Sequence, residues 1–201
     1  MIFKRTLVPV VMALGMSAHG AIIYSNFAPS NGYNNLIGHL ILHDPEIYFP
    51  RGERFTAAVT GTAQTLDLAI GHVSGNTSLS MGLFFDSGGT IFGQLGNLVP
   101  VTTQASSFGF PSAYQSVDVS AAGWNVVAGT TYWLVAFPSF NSNHGWQWNS
   151  TGATGIHYAG GNYNPSLTQG VFRLDTVPEP TTLFVLAAGM GTWWRRSRRV
   201  V

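Results

Sequence analysis

Between residues 21 and 176, apolar side chains recur at every second position in short runs, and no long stretch follows the 3.6-residue spacing of an amphipathic helix. The clearest run is 65–73, where Leu66, Leu68 and Ile70 fall on one face of a half-buried strand. Ser74, Gly75, Asn76 and Thr77 then supply turn chemistry, because Gly and Asn both tolerate positive φ. Residues 78–86 predict the next strand, closed by Asp86, Ser87, Gly88 and Gly89. The segment 131–137 is nearly continuous in apolar residues and predicts a central strand buried on both faces. Further strands are predicted over 22–27, 36–42, 54–59, 114–119, 145–149, 155–158 and 171–175, with 93–111 as a long, loop-rich connection. Many short strands separated by turns predict an all-β fold, an antiparallel β-sandwich of the jelly-roll kind with roughly eight to ten strands.

The two ends break this pattern. Lys4 and Arg5 precede a short apolar core, and Ala18 and Gly20 place small residues before Ala21, so residues 1–20 predict a signal peptide in helical form. At the other end, Pro178, Glu179 and Pro180 are followed by an apolar segment over 181–194 and by Arg195, Arg196, Arg198 and Arg199. A helix over 181–194 would span roughly 21 Å, short of the roughly 30 Å hydrocarbon core, which fits a transient recognition segment as well as a short transmembrane anchor. Trp193 and Trp194 would lie at the interface, and the arginines would hold the cytoplasmic side of an inner membrane. Three units follow: a signal peptide at 1–20, a β-sandwich ectodomain at 21–176, and a tail at 177–201.

Composition sharpens this division. Charged residues make up 8% of the chain, against about 25% in average soluble proteins. Cys is absent, which excludes disulfides, thiolate metal sites and Cys nucleophiles. The formal net charge of +1 hides an uneven distribution. The middle carries Arg51, Arg54 and Arg173 against Asp44, Glu46, Glu53, Asp67, Asp86, Asp118 and Asp175, a mildly acidic balance that offers no basic face for nucleic acid.

The tail, with Pro178-Glu179-Pro180, a short apolar helix and an arginine cluster, resembles the PEP-CTERM sorting signal. That resemblance implies processing by an exosortase near the motif, in a Gram-negative bacterium that makes exopolysaccharide. Thr181 departs mildly from the Ser or Ala often found after the motif. The middle resembles the choice-of-anchor R β-sandwich domain. The matching stretches are Tyr24-Ser25-Asn26-Phe27, the hairpin around Phe85-Asp86-Ser87-Gly88-Gly89, and the run from Val127 to Val135 with Trp146 and Trp148 downstream. This second resemblance implies a structural domain and brings no enzymatic residues with it.

Candidate chemistry in the middle is sparse. His43, Asp44 and Glu46 lie together in sequence, but neighbours on an extended chain point to opposite faces, and Asp-Pro is common turn chemistry. Asp86 with Gly88 and Gly89 reads either as an oxygen-rich cation loop or, more simply, as an Asx-turn. The best binding candidate is aromatic: Phe140, His144, Trp146, Trp148, His157, Tyr158 and Tyr163. Trp146 and Trp148 differ by two, so they share a strand face suited to stacking on sugar rings, or else to the core. No catalytic residue, cofactor or metal site is predicted. The expected function is an exported structural or adhesive protein of the cell surface or extracellular matrix, matured by signal peptidase and exosortase. The alternatives are a carbohydrate-binding module using Trp146 and Trp148, and a hydrolase of extracellular polysaccharide using carboxylates such as Asp44 and Asp86.

Overall fold

A computed structural model describes residues 20–105 and 113–176. The predicted signal helix at 1–20, except Gly20, and the sorting tail at 177–201 lie outside the described residues. Among the described residues, no helix is long and apolar enough to cross a membrane.

The fold is all-β, with antiparallel pairing except at one short edge. A six-stranded sheet forms one layer in the order β15 (Asn162–Thr168), β14 (Thr154–Ala159), β4 (Arg51–Thr56), β12 (Thr131–Pro138), β7 (Ser78–Ser87), β8 (Thr90–Thr102). The other layer is built from two five-stranded sheets. The first runs β1 (Ala21–Ser25), β16 (Phe172–Thr176), β5 (Gly61–Leu68), β10 (Gln115–Asp118), with β11 (Asn125–Val126) also on β5. The second runs β3 (Tyr48–Phe49), β2 (Asn34–His43), β13 (Ser142–Trp148), β6 (Ile70–Gly75), β9 (Gln104–Ala105). Backbone bonds from Gln147 N–H to the Ala69 carbonyl (2.9 Å) and from Val171 N–H to the Gln147 carbonyl (2.7 Å) join these two sheets side by side.

The predicted central strand is β12, flanked by β4 and β7, with residues 132–136 all buried. The alternation of Leu66, Leu68 and Ile70 holds, and all three enter the core. The predicted single strand over 65–73 is nevertheless two. It breaks at Ala69, whose carbonyl turns to β13, so β5 and β6 belong to different sheets.

The predicted loop at 93–111 is corrected as well. Residues through Thr102 continue β8, a bulged edge strand whose register against β7 shifts twice. Glycines and Pro100 made it read as a loop; an edge strand carries both residues. Strand β15 was not predicted, because it is polar, holds Pro165 and is mostly exposed; it too is an edge.

The core between the layers centres on Trp124, Tyr132, Trp146, Phe172, Ile23, Ile41, Leu66, Leu68 and Met81. Phe55 on β4 packs edge-on to Phe172 on β16, with ring centroids 5.4 Å apart, which ties the two layers together. The stretch 21–176 thus buries a core without any disulfide.

Candidate functional site

The cluster with most chemical potential was not singled out from sequence. β4 alternates so that Phe55 faces the core, and Glu53, two residues earlier, faces the same way. Its carboxyl is fully buried between the layers. His157 on β14 is its direct cross-strand partner, and His157 Nδ1 lies 3.1 Å from Glu53 Oε1. His39 reaches in from β2 in the opposite layer, with Nε2 3.9 Å from the same oxygen. The two imidazole centroids are 4.4 Å apart, and Trp148 covers His39 at 5.5 Å. One ligand atom from each of His39, Glu53 and His157 lies within 4.8 Å of the others; among the described residues this is the one such group of His, Asp and Glu.

The segment 168–171 closes the site. The Thr168 carbonyl accepts from His39 Nε2 at 2.7 Å, and Gly170 N–H donates to Glu53 Oε1 at 2.9 Å. The segment is itself pinned. Asn26 Nδ2 donates to the Gly170 carbonyl and Asn149 Nδ2 to the Gln169 carbonyl. Gln169 is held at both ends of its amide: Tyr24 O–H donates to its Oε1 and its Nε2 donates to the Arg54 carbonyl.

Burial pushes the Glu53 carboxyl above the usual range, against the pull of His157, the Gly170 N–H and Arg51. Burial, and then the neighbouring His157, bring His39 down to about 3. Glu53 Oε2 and both ring nitrogens of His157 have no hydrogen-bond partner, so the 3.1 Å approach lies off the imidazole N–H axis. Buried polar groups are normally satisfied, so three such atoms in one cluster need a physical reason.

The sequence-predicted residues fare differently. Trp146 points inward, and the register of β13 against β2 shifts between Gln147 and Trp148. Trp146 is 0% exposed and donates its Nε1–H to the Val171 carbonyl, while Trp148 is half-buried against His39. Trp146 therefore offers no face to a sugar, while Trp148 stays partly open. The wider aromatic group is also divided. His144 and His157 are buried, Phe140 packs on His43, and Tyr163 packs on Trp133 and accepts from Ile91 N–H.

His43, Asp44 and Glu46 do not converge. Asp44 Oδ1 accepts from the Glu46 and Ile47 N–H groups, the Asx-turn geometry. Asp86 takes a bidentate bond from Arg54 (2.8 and 2.9 Å) and one from Trp133 Nε1 (2.8 Å). Arg54 first, with Trp133 and Gly89 behind it, holds this carboxyl below the usual carboxylate range. Asp86→Ala would orphan both a guanidinium and an indole N–H. Urea unfolding should show a loss of about 2–3 kcal/mol, more than an exposed pair contributes.

A second buried imidazole lies in the same layer as His39. His144 on β13 contacts Thr103 Oγ1 at 3.1 Å and faces His72 with centroids 5.9 Å apart. Burial, then His72, lower it from 6.5 to about 4. The unfolded chain therefore takes up this proton first as pH falls. Stability is intact above pH 6.5 and is lost between there and pH 4. The full loss is about 3 kcal/mol. A His144→Gln variant should show a flatter dependence of the unfolding midpoint over that window.

Comparison with known protein families, with curated proteins and with solved structures found no match to this chain.

Proposed function

We propose that the chain is an exported structural or adhesive protein of the cell surface or extracellular matrix, of jelly-roll-like build, delivered by its C-terminal sorting tail. The observation that carries this reading is the order of the tail: Pro178-Glu179-Pro180, an apolar segment, then Arg195, Arg196, Arg198 and Arg199. Signal peptidase would act before Ala21 and an exosortase near Pro178-Glu179-Pro180, with the inner membrane as a way-station and extracellular polysaccharide as the surrounding partner. The ectodomain supports a structural role more than a hydrolytic one. Asp86 is spent on Arg54 and Trp133, and Asp44, whose Oδ1 caps a turn, lines a surface cleft that no second carboxylate lines.

The test is the intact mass of the protein recovered from cells and from medium. A species beginning at Ala21 and ending near Pro178-Glu179-Pro180 is expected, with heterogeneous added mass if glycan or lipid is attached. A full-length tail found only in the inner membrane would overturn sorting and leave a single-pass anchored domain.

A further inference from the structure

We propose that His39, Glu53 and His157 bind a divalent transition metal of the zinc class, which staples the two layers of the sandwich. The donor set is two imidazoles and one carboxylate. That set suits zinc and its neighbours, whereas calcium and magnesium want mostly oxygen. The spacing fits as well. With bonds of about 2.0–2.1 Å, ligands around a tetrahedral ion sit roughly 3.3 Å apart. Here the separations from Glu53 Oε1 are 3.1 Å to His157 and 3.9 Å to His39, and all three ligand atoms lie within 4.8 Å of one another, so closing the shell draws the widest pair together by up to about 1.5 Å.

Two further observations point to a ligand rather than to an ion pair. First, Glu53 and His157 are both fully buried, yet Glu53 Oε2 and His157 Nε2 make no hydrogen bond, and the 3.1 Å approach of His157 Nδ1 to Glu53 Oε1 is poorly aligned for one. A buried carboxylate beside an imidazolium would spend these atoms on each other; a metal between them uses one from each. Second, the surroundings already resemble an outer shell. Gly170 N–H holds Glu53 Oε1, and the pinned segment 168–170 places the Thr168 carbonyl 2.7 Å from His39 Nε2. In the metal-free chain that nitrogen donates its proton to the carbonyl. Metal binding requires the tautomer with the proton on Nδ1 and with Nε2 turned from the Thr168 carbonyl to the ion, which frees that carbonyl to act as the fourth donor.

The site spans the sandwich, since His39 comes from one layer and Glu53 and His157 from the other. In a chain without Cys, a metal is the strongest cross-link these residues can make. Neither of two open surface clefts, one beside Arg54 and Gln169 and one beside His43 and Asn143, is lined by any of the three ligands. A closed shell away from solvent is the arrangement of a structural ion, and loading is expected to accompany folding.

The test refolds the full chain in detergent with Zn²⁺ or with EDTA, desalts it, and measures zinc by elemental analysis and stability by urea unfolding. One zinc per chain and a higher urea midpoint in the zinc sample are expected. Co²⁺ in place of Zn²⁺ should give the intense visible bands of a low-symmetry four-coordinate site. His157→Gln and His39→Gln should each weaken zinc binding by about a hundredfold or more. A wild-type chain that folds, retains no zinc and shows the same midpoint in both buffers overturns the proposal. So does zinc retained undiminished by the His39→Gln/His157→Gln double variant, which would assign it to other imidazoles such as His43. If the variants do not fold, the wild-type comparison and the Co²⁺ spectrum decide alone.

Discussion

Trp146→Ala is expected to lower the unfolding free energy by about 3–5 kcal/mol, the range for deleting a large aromatic from a close-packed core. Trp146 is fully buried, its ring lies 6.2 Å from Phe172 across the junction of the two joined sheets, and its Nε1–H is bonded to the Val171 carbonyl at 3.0 Å. Truncation opens a cavity beside residues already fixed by the backbone bonds of Gln147 and Val171, so little collapse can refill it. Trp146→Phe separates the two contributions. It keeps most of the ring and forfeits the hydrogen bond, and should cost about 1–2 kcal/mol. Both values come from urea unfolding followed by circular dichroism. A solvent-facing sugar platform predicts the opposite: unchanged stability in both variants, with loss only of carbohydrate binding.

The same tryptophan shows where sequence reading stops. A spacing of two would place Trp146 and Trp148 on one face of a regular strand, but the register shifts between Gln147 and Trp148, and Trp146 is the one fully buried. Periodicity carries no information about which face the core covers; that depends on the six-stranded sheet opposite. β12 was legible because its apolar run is buried on both sides, so there was no face to choose. The turn at Gly88 and Gly89 was legible for another reason: both adopt positive φ, which few other residues tolerate.

Glu53 was not legible. Arg51, Gly52 and Glu53 look like a polar lead-in after Pro50, and the strand was expected to begin at Arg54. In the fold β4 starts at Arg51, so Glu53 falls in phase with Phe55 and is carried inside. His39, likewise, shares its phase with Ile41, a core residue. The available signal was a charged or titratable residue at an inward phase. It becomes visible only once strand boundaries are right to within a residue, and the three ligands come from strands distant in sequence that meet only through sheet order.

Gly75→Ala is expected to cost about 3–4 kcal/mol, and a comparison with Gly88→Ala shows why. Both glycines hold φ in the left-handed region, at 78° and 61°. A Cβ on Gly88 meets nothing within 4 Å, so that variant bears the dihedral cost alone, about 1–2 kcal/mol. A Cβ on Gly75 would sit 2.1 Å from the Asn141 carbonyl oxygen, a backbone atom that already accepts a hydrogen bond from Asn76 N–H. It cannot swing aside as a side chain would; the end of β6 must part from β13, where Gly75 pairs with Ser142. The excess over Gly88→Ala therefore measures that strand pairing. Asn substitutions sharpen the point, since Asn tolerates the left-handed region. Gly88→Asn should recover much of the loss seen with Ala, whereas Gly75→Asn should recover little, because its Cβ meets the same carbonyl. Equal recovery at both positions in thermal unfolding would mean that backbone dihedral preference, not contact with β13, fixes the glycine at 75.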